Sequence, residues 1–263
     1  MGLHDGSRRD HDDPDRAADP GRPAPPGAGA DHGCAEVTKT KTKEATISET
    51  TAAQTPPDPV ARDGGPKEHL VRIAKLTFDR KLTDAAGGNL SVRHGDRALV
   101  TPRYAGSRYQ WDLSSEQICE VDFAGNLLAG AGQTSRELGM HLAAYRHFPE
   151  VGAVIHAHPY HVQAFVFANR TIPPTNEYTD KFGEIAFVPD TAVSHTDEYG
   201  EVVAEAIRPH RAKLAKHPLA FLLPWHGIVV VADTLAAAFD TVERVDNSAR
   251  NVLHAAVLGR TDG

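Results

Sequence analysis

Between Pro66 and Leu82 the apolar residues of KEHLVRIAKLTFDRKL recur every three or four positions, which places Leu70, Ile73, Ala74 and Thr77 on one face of a helix. The glycines of DAAGGN end it. Short apolar runs follow, NLSVR, RALVT and QICEVD, and the last meets the turn FAGN before a returning LL, a rhythm that predicts strands. A second helix is expected from Ser135 to His147, stopped by Pro149, and VGAVIHAH then reads as a buried strand ending in polar residues. Downstream, EYGEVVAEAIRPHRAKLA is helical, LAFLLP and GIVVVA read as paired strands, and DTLAAAFDTVERVDNSARNVLHAAVLG is one long helix capped by Asp233.

Strands and helices therefore mix without strict βαβ alternation, and several strands are close enough in sequence to pair antiparallel. The pattern predicts an α/β layered domain with a mixed or antiparallel sheet.

Composition limits where that domain begins. Residues 1–65 contain no Phe, Trp or Tyr, hold eight of the 18 prolines, and offer only Leu3, Val37, Ile47 and Val60 as large aliphatic side chains. Such a segment cannot bury enough apolar surface to offset its ordering entropy, so it is expected to be a disordered tail, with a single domain over residues 66–263. No run is apolar enough to span a bilayer, and no leader-like apolar region follows Met1, which points to a cytoplasmic protein without a membrane partner. Gly2 does not start a myristoylation signal, because Gly6 stands where Ser or Thr is required. Cys34 and Cys119 give neither a disulfide framework nor a zinc-type spacing. A formal charge of −7 with no basic stripe argues against nucleic acid as a partner.

The chemistry concentrates in VGAVIHAHPYH. Residues i and i+2 of a strand share a face, so His156 and His158 would project together with their Cα atoms roughly 7 Å apart, a spacing from which two imidazoles can converge on one ion. The competing reading is a pair of hydrogen-bonded strand-end residues, and fifteen histidines in one chain make chance pairs common. Two further residues are candidates. Glu137 stands at the start of the helix preceding the strand, where it could equally serve as a helix-terminal carboxylate, and His226 lies between two apolar strands, where it could equally be a core histidine.

From about His69 to Leu258 the chain resembles the class II aldolase/adducin family, which includes fuculose-phosphate and rhamnulose-phosphate aldolases and ribulose-phosphate 4-epimerase. The motifs that carry the resemblance are GGNLSVR, LVTPR, DFAGNLL, SRELGMHLAAYRHFPEVGAVIHAHPYHVQAF and WHGIVVVADTLAAAF. The resemblance implies a central, mostly antiparallel sheet flanked by helices, and a metal site of His156, His158 and His226 with Glu137 as acid/base or additional ligand. It implies one divalent metal ion per chain, zinc favoured with iron(II) or manganese open, and a homotetramer with active sites at subunit interfaces. Three neutral imidazoles leave open positions on such an ion for a chelating substrate, and Glu137 beside it could move a proton.

The chain departs from the family where phosphate is expected to bind. In the sugar-phosphate aldolases a Gly-Asn pair, a TPSG-like turn and a Ser-Ser before the Glu cradle the phosphate. Gly88, Asn89, Thr101 and Pro102 are kept here, but Arg103 follows Pro102 and Arg136 precedes Glu137. Arginine grips a carboxylate in bidentate fashion as readily as a phosphate. With Tyr104, Tyr109 and Trp111 nearby, the substitutions suggest a small, non-phosphorylated acid substrate, an aromatic one among the candidates. The bland alternative has both arginines facing solvent and the aromatics packing a loop. Glu177 and Tyr178 lie in a loop where the family brings substrate-facing residues, so Tyr178 joins the substrate-binding candidates. His161 is assigned a role away from the ion, and His141 and His147 structural roles.

Three functions compete. The first is a metal-dependent lyase, aldolase or decarboxylase, acting on a small hydroxy or keto acid. The second is a non-haem iron(II) oxygenase, for which His156, His158 and Glu137 could supply the ligands; the aminocoumarin-antibiotic oxygenases of the family oxidatively decarboxylate an aryl keto acid. The third is an adducin-like interaction protein without activity, against which the retained histidines and glutamate argue.

Overall fold

The computed structural model describes residues 64–259. The tail expected over residues 1–65 lies outside the described residues, apart from Gly64 and Gly65. Among the described residues no helix is long and apolar enough to cross a membrane.

The chain opens with α1 (Pro66–Asp79), whose buried residues are Leu70, Ile73, Ala74 and Thr77, the face read from the periodicity. Its end comes before Leu82 because Lys81 turns into the left-handed region, with φ 61°. Strands β1 (Asn89–His94), β2 (Arg97–Val100), β3 (Cys119–Asp122) and β4 (Leu127–Ala129) follow, then α2 (Leu138–His147) and β5 (Ala153–Ala157). The rest is α3 (Tyr160–Phe167), α4 (Glu177–Asp180), α5 (Asp197–Ile207), α6 (Arg211–Leu214), β6 (Leu219–Leu223), β7 (Gly227–Ala232) and α7 (Leu235–Val257).

The seven strands form one sheet in the order β4-β3-β2-β1-β5-β7-β6, and every neighbouring pair is antiparallel. Alternation splits its side chains between two cores. Leu90, Leu99, Ile155, Leu222, Ile228 and Val230 pack with α1, α3 and α7 on one face, while Val100, Val121, Val154, Phe221, Val229 and Val231 pack with α2 and α5 on the other. Because both faces are covered, β6 and β7 are buried along their whole length and read in sequence as unbroken apolar runs.

Two helix starts differ from the sequence reading. The long helix is capped by Thr234, whose Oγ1 accepts from the Ala237 N–H, and not by Asp233, because Thr234 holds the extended backbone that a cap requires. The helix expected from Ser135 begins at Leu138, which leaves Glu137 at its cap position with no capping hydrogen bond from its side chain. The carboxylate is therefore not consumed by the helix end.

Candidate metal centre

His156 is the penultimate residue of β5 and is fully enclosed. Its Nδ1 lies 3.0 Å from the Ile228 carbonyl of adjacent β7. A carbonyl only accepts, so Nδ1 carries the proton and Nε2 keeps its lone pair. His158, just past the strand end, follows the same logic: its Nδ1 is 3.3 Å from Asp84 Oδ1. Both Nε2 atoms are thus unprotonated acceptors, and they face each other at 3.2 Å.

His226 completes the cluster from the turn joining β6 to β7. Trp225 before it takes a left-handed φ of 55°, and Gln163 donates its Nε2 proton to the His226 carbonyl at 2.9 Å, which pins the turn against α3. One ligand atom from each of the three histidines falls within a 4.8 Å span. Burial, reinforced by the neighbouring rings, drives His156 well below its ordinary pKa and His226 down to about 4. A shared proton is therefore disfavoured, and the converging lone pairs fit a divalent cation.

Glu137 flanks the cluster. Its Oε2 is 3.8 Å from His156 Nε2 and its Oε1 is 3.9 Å from His226 Nδ1. Neither oxygen has a well-oriented hydrogen bond. Burial raises its pKa, opposed by the charges of His195 and Arg136. His195, in the loop before α5, places Nδ1 against Glu137 Oε1. Sequence reasoning missed His195, because it belongs to no periodic element and no nearby motif points to it.

These groups line a cavity of about 270 Å³. Gly88, Asn89, Arg103 and Arg136 line it too, together with Tyr104, Ser107 and Ser135. Gly88 has φ 98°, and a Cβ there would meet Thr83 Oγ1 at 2.6 Å, so only glycine suits the position. Asn89 donates to Ser135 Oγ at 3.0 Å, which in turn accepts from the Glu137 N–H, while Asn89 Oδ1 stays buried without a partner.

Other expected residues lie elsewhere. Thr101 is fully buried and its Oγ1 accepts from the Leu90 N–H at 3.0 Å, so its hydroxyl holds two strands together and does not reach the cavity. Tyr178 is 61% exposed and neighbours Arg244 on α7, away from the cavity lining of this chain. Trp111 offers no surface to a substrate: it is fully buried and donates to the Asp84 carbonyl at 2.9 Å. Tyr109 lines a neighbouring cavity instead. His161 is held by Asp246 of α7, which accepts from its Nδ1 at 2.7 Å and from the backbone amides of His161 and Val162 in the first turn of α3. His141 bonds Ser91 Oγ inside the core, and His147 pairs with Glu201.

A layered antiparallel sheet carrying three convergent histidines and a buried carboxylate describes an α/β domain built around a candidate metal centre. The chain belongs to the class II aldolase and adducin N-terminal domain family, whose model matches residues 68–253. It is 34% identical over 191 residues to a 3-oxo-tetronate 4-phosphate decarboxylase of Haemophilus influenzae, covering 70% of this chain and 85% of that one. It is 29% identical over 187 residues to an L-fuculose phosphate aldolase of Methanococcus vannielii, covering 70% and 93%. The L-fuculose-1-phosphate aldolase of Thermus thermophilus superposes with a TM-score of 0.61 at 26% identity, covering 74% of this chain and 95% of that one.

Proposed function

We propose that the protein is a divalent-metal lyase that breaks a carbon–carbon bond beside a carbonyl in a small hydroxy or keto acid, by decarboxylation or retro-aldol cleavage. The observation that carries this reading is the pair of His156 and His158 lone pairs aimed at each other beside His226 and the buried Glu137 carboxylate. His156, His158 and His226 would hold the ion. Bound there, it would supply Lewis acidity for the negative charge left when the bond breaks.

The chain's own groups do the rest. Arg103 and Arg136 bind the acidic end of the substrate and orient it across the cavity they line. Glu137 moves the proton at Oε2, since burial raises its pKa and so brings it closer to the range useful for proton transfer. Zinc is the favoured ion, with manganese and iron(II) as the alternatives that elemental analysis separates. The active protein is expected to be a homotetramer, to be checked by light scattering.

A second reading has a phosphorylated substrate. It is favoured by the names of the relatives, which act on phosphate esters, and by Ser107, Ser135 and Asn89 beside the two arginines. The deciding experiment measures kcat/KM on 3-oxo acids and hydroxy aldols with and without a terminal phosphate, following carbon dioxide, aldehyde and oxygen. Turnover of the free acids without oxygen uptake supports the first reading. Turnover of the phosphate esters alone would replace its substrate, and substrate-dependent oxygen consumption would replace it with the iron oxygenase.

A further inference from the structure

Glu137 and His195 are far apart in sequence, and a helix crossing brings them together. α5 packs along α2, and near their N-termini the backbones come close at Gly139 and Gly200. A Cβ on Gly200 would sit 2.7 Å from the Gly139 carbonyl oxygen, and one on Gly139 would sit 2.5 Å from Asp197 Oδ1. Glu137 is the residue just ahead of α2, and His195 is the residue just ahead of Thr196, the cap of α5. Close approach of the two helix starts therefore sets carboxylate against imidazole.

The loop that carries His195 is fixed rather than merely adjacent. Thr196 Oγ1 accepts from the Tyr199 N–H at 3.2 Å and donates to the Val193 carbonyl at 2.7 Å. His195 itself adopts φ 71°, a left-handed conformation that a non-glycine residue keeps only where its surroundings enforce it. From there Nδ1 meets Glu137 Oε1, a closer approach to the carboxylate than His226 makes at Oε1 or His156 makes at Oε2. The His195 ring also stands edge-on to His226, with centroids 5.5 Å apart, so it closes the side of the cavity next to the cluster.

We infer that His195 is a positioning residue: it grips one oxygen of Glu137, holding the carboxylate beside the three histidines as a proton-transfer group and keeping it from joining them as a ligand. The inference rests on the metal-lyase reading above. Without His195 the side chain of Glu137 is free to turn toward the ion, which adds a ligand and removes the proton carrier in one movement.

Cobalt(II) reports both effects, because its visible absorption weakens as the number of ligands rises. The test titrates metal-free wild type, His195→Ala and His195→Asn with cobalt and follows the spectrum, the affinity and kcat on whichever substrate wild type turns over. His195→Ala is expected to bind cobalt about tenfold more tightly with a weaker visible band, while kcat falls ~10- to 100-fold, the range typical of residues that orient metal-site groups. His195→Asn, whose amide nitrogen takes the place of Nδ1, is expected to keep the wild-type spectrum and recover much of kcat. Wild type and His195→Ala with the same spectrum and affinity would overturn this inference alone. Loss of cobalt from both variants would make His195 a ligand and overturn it as well. Wild type that took up no cobalt would overturn the lyase reading together with everything built on it.

Discussion

Nε2 of His156 lies 3.2 Å from Nε2 of His158, and the other nitrogen of each ring is turned to a group that accepts a proton, the Ile228 carbonyl and the Asp84 carboxylate. Two lone pairs held at that distance in a buried site repel each other unless a cation draws them together. The metal-free protein should therefore be less stable than the loaded one. At an ion concentration one hundred times its Kd, linkage gives ~2.7 kcal/mol. For a domain of this size that is a rise of about 5–10 °C in Tm. Calorimetry before and after chelation checks it; coincident melting curves would mean that the cluster binds no ion in the folded state.

Asp84 should set how firmly His158 is held. Its Oδ1 accepts from the amides of Ala86 and Gly87 at 2.9 and 3.1 Å as well as facing His158 Nδ1, so one oxygen shapes the glycine loop and fixes the ring. Asp84→Asn keeps an oxygen in that place but removes its charge, whereas Asp84→Ala removes both. Metal affinity is expected to drop by ~10-fold in Asp84→Asn and toward ~100-fold in Asp84→Ala. Competition against a chromogenic chelator would show the order. Equal losses in both variants would mean that the charge, and not the loop, is what matters.

His156 and His158 stand out in the sequence because they share a strand face, whereas Glu137 and His226 each have a bland local reading and join them only through the resemblance to the class II aldolase/adducin family. The strands β6 and β7 are legible as unbroken apolar runs, but their pattern leaves the sheet mixed or antiparallel, and its mostly antiparallel character came from the resemblance. Residues whose role depends on tertiary partners were not. Thr101 lies in a motif that suggests substrate contact, yet its hydroxyl is taken by the Leu90 amide. Trp111 looked like cavity surface, yet the Asp84 carbonyl draws it into the core. His195 left no trace because its position is set by the crossing of α2 and α5 at Gly139 and Gly200, a contact that no local pattern encodes.

Arg103 and Arg136 line the same cavity as the cluster, and a substrate acid group should depend on both. The Arg103 guanidinium also lies 4.8 Å from the Tyr104 ring centroid, a stacking that lysine cannot reproduce. Replacing either arginine by alanine should cost ~1.5–3 kcal/mol of charged hydrogen bonding, or roughly 10- to 150-fold in kcat/KM, mainly through KM. Lysine should rescue Arg136 better than Arg103. Steady-state kinetics on the four variants test this, and unchanged KM in both alanine variants would turn these side chains out to solvent.

His141 should govern the response of the fold to acid. It is fully buried on α2, with Nδ1 2.6 Å from Ser91 Oγ and Nε2 without a partner, and burial drives its pKa down to about 3. In the unfolded chain the same ring titrates near 6.5. Between these two values the unfolded state binds a proton that the folded state refuses, so stability is complete above about pH 6.5 and declines as pH falls toward 3. The slope from this one group is ~1.4 kcal/mol per pH unit over most of that window. His156 and His226 contribute with the same sign, so the comparison belongs in chelated protein, where bound metal does not alter their titration. His141→Asn keeps an amide near Ser91 but has no proton to take up. Its urea midpoint should fall less than that of wild type between pH 7 and pH 4.5. Parallel profiles for the two proteins would show that His141 is not the group whose protonation opens the core.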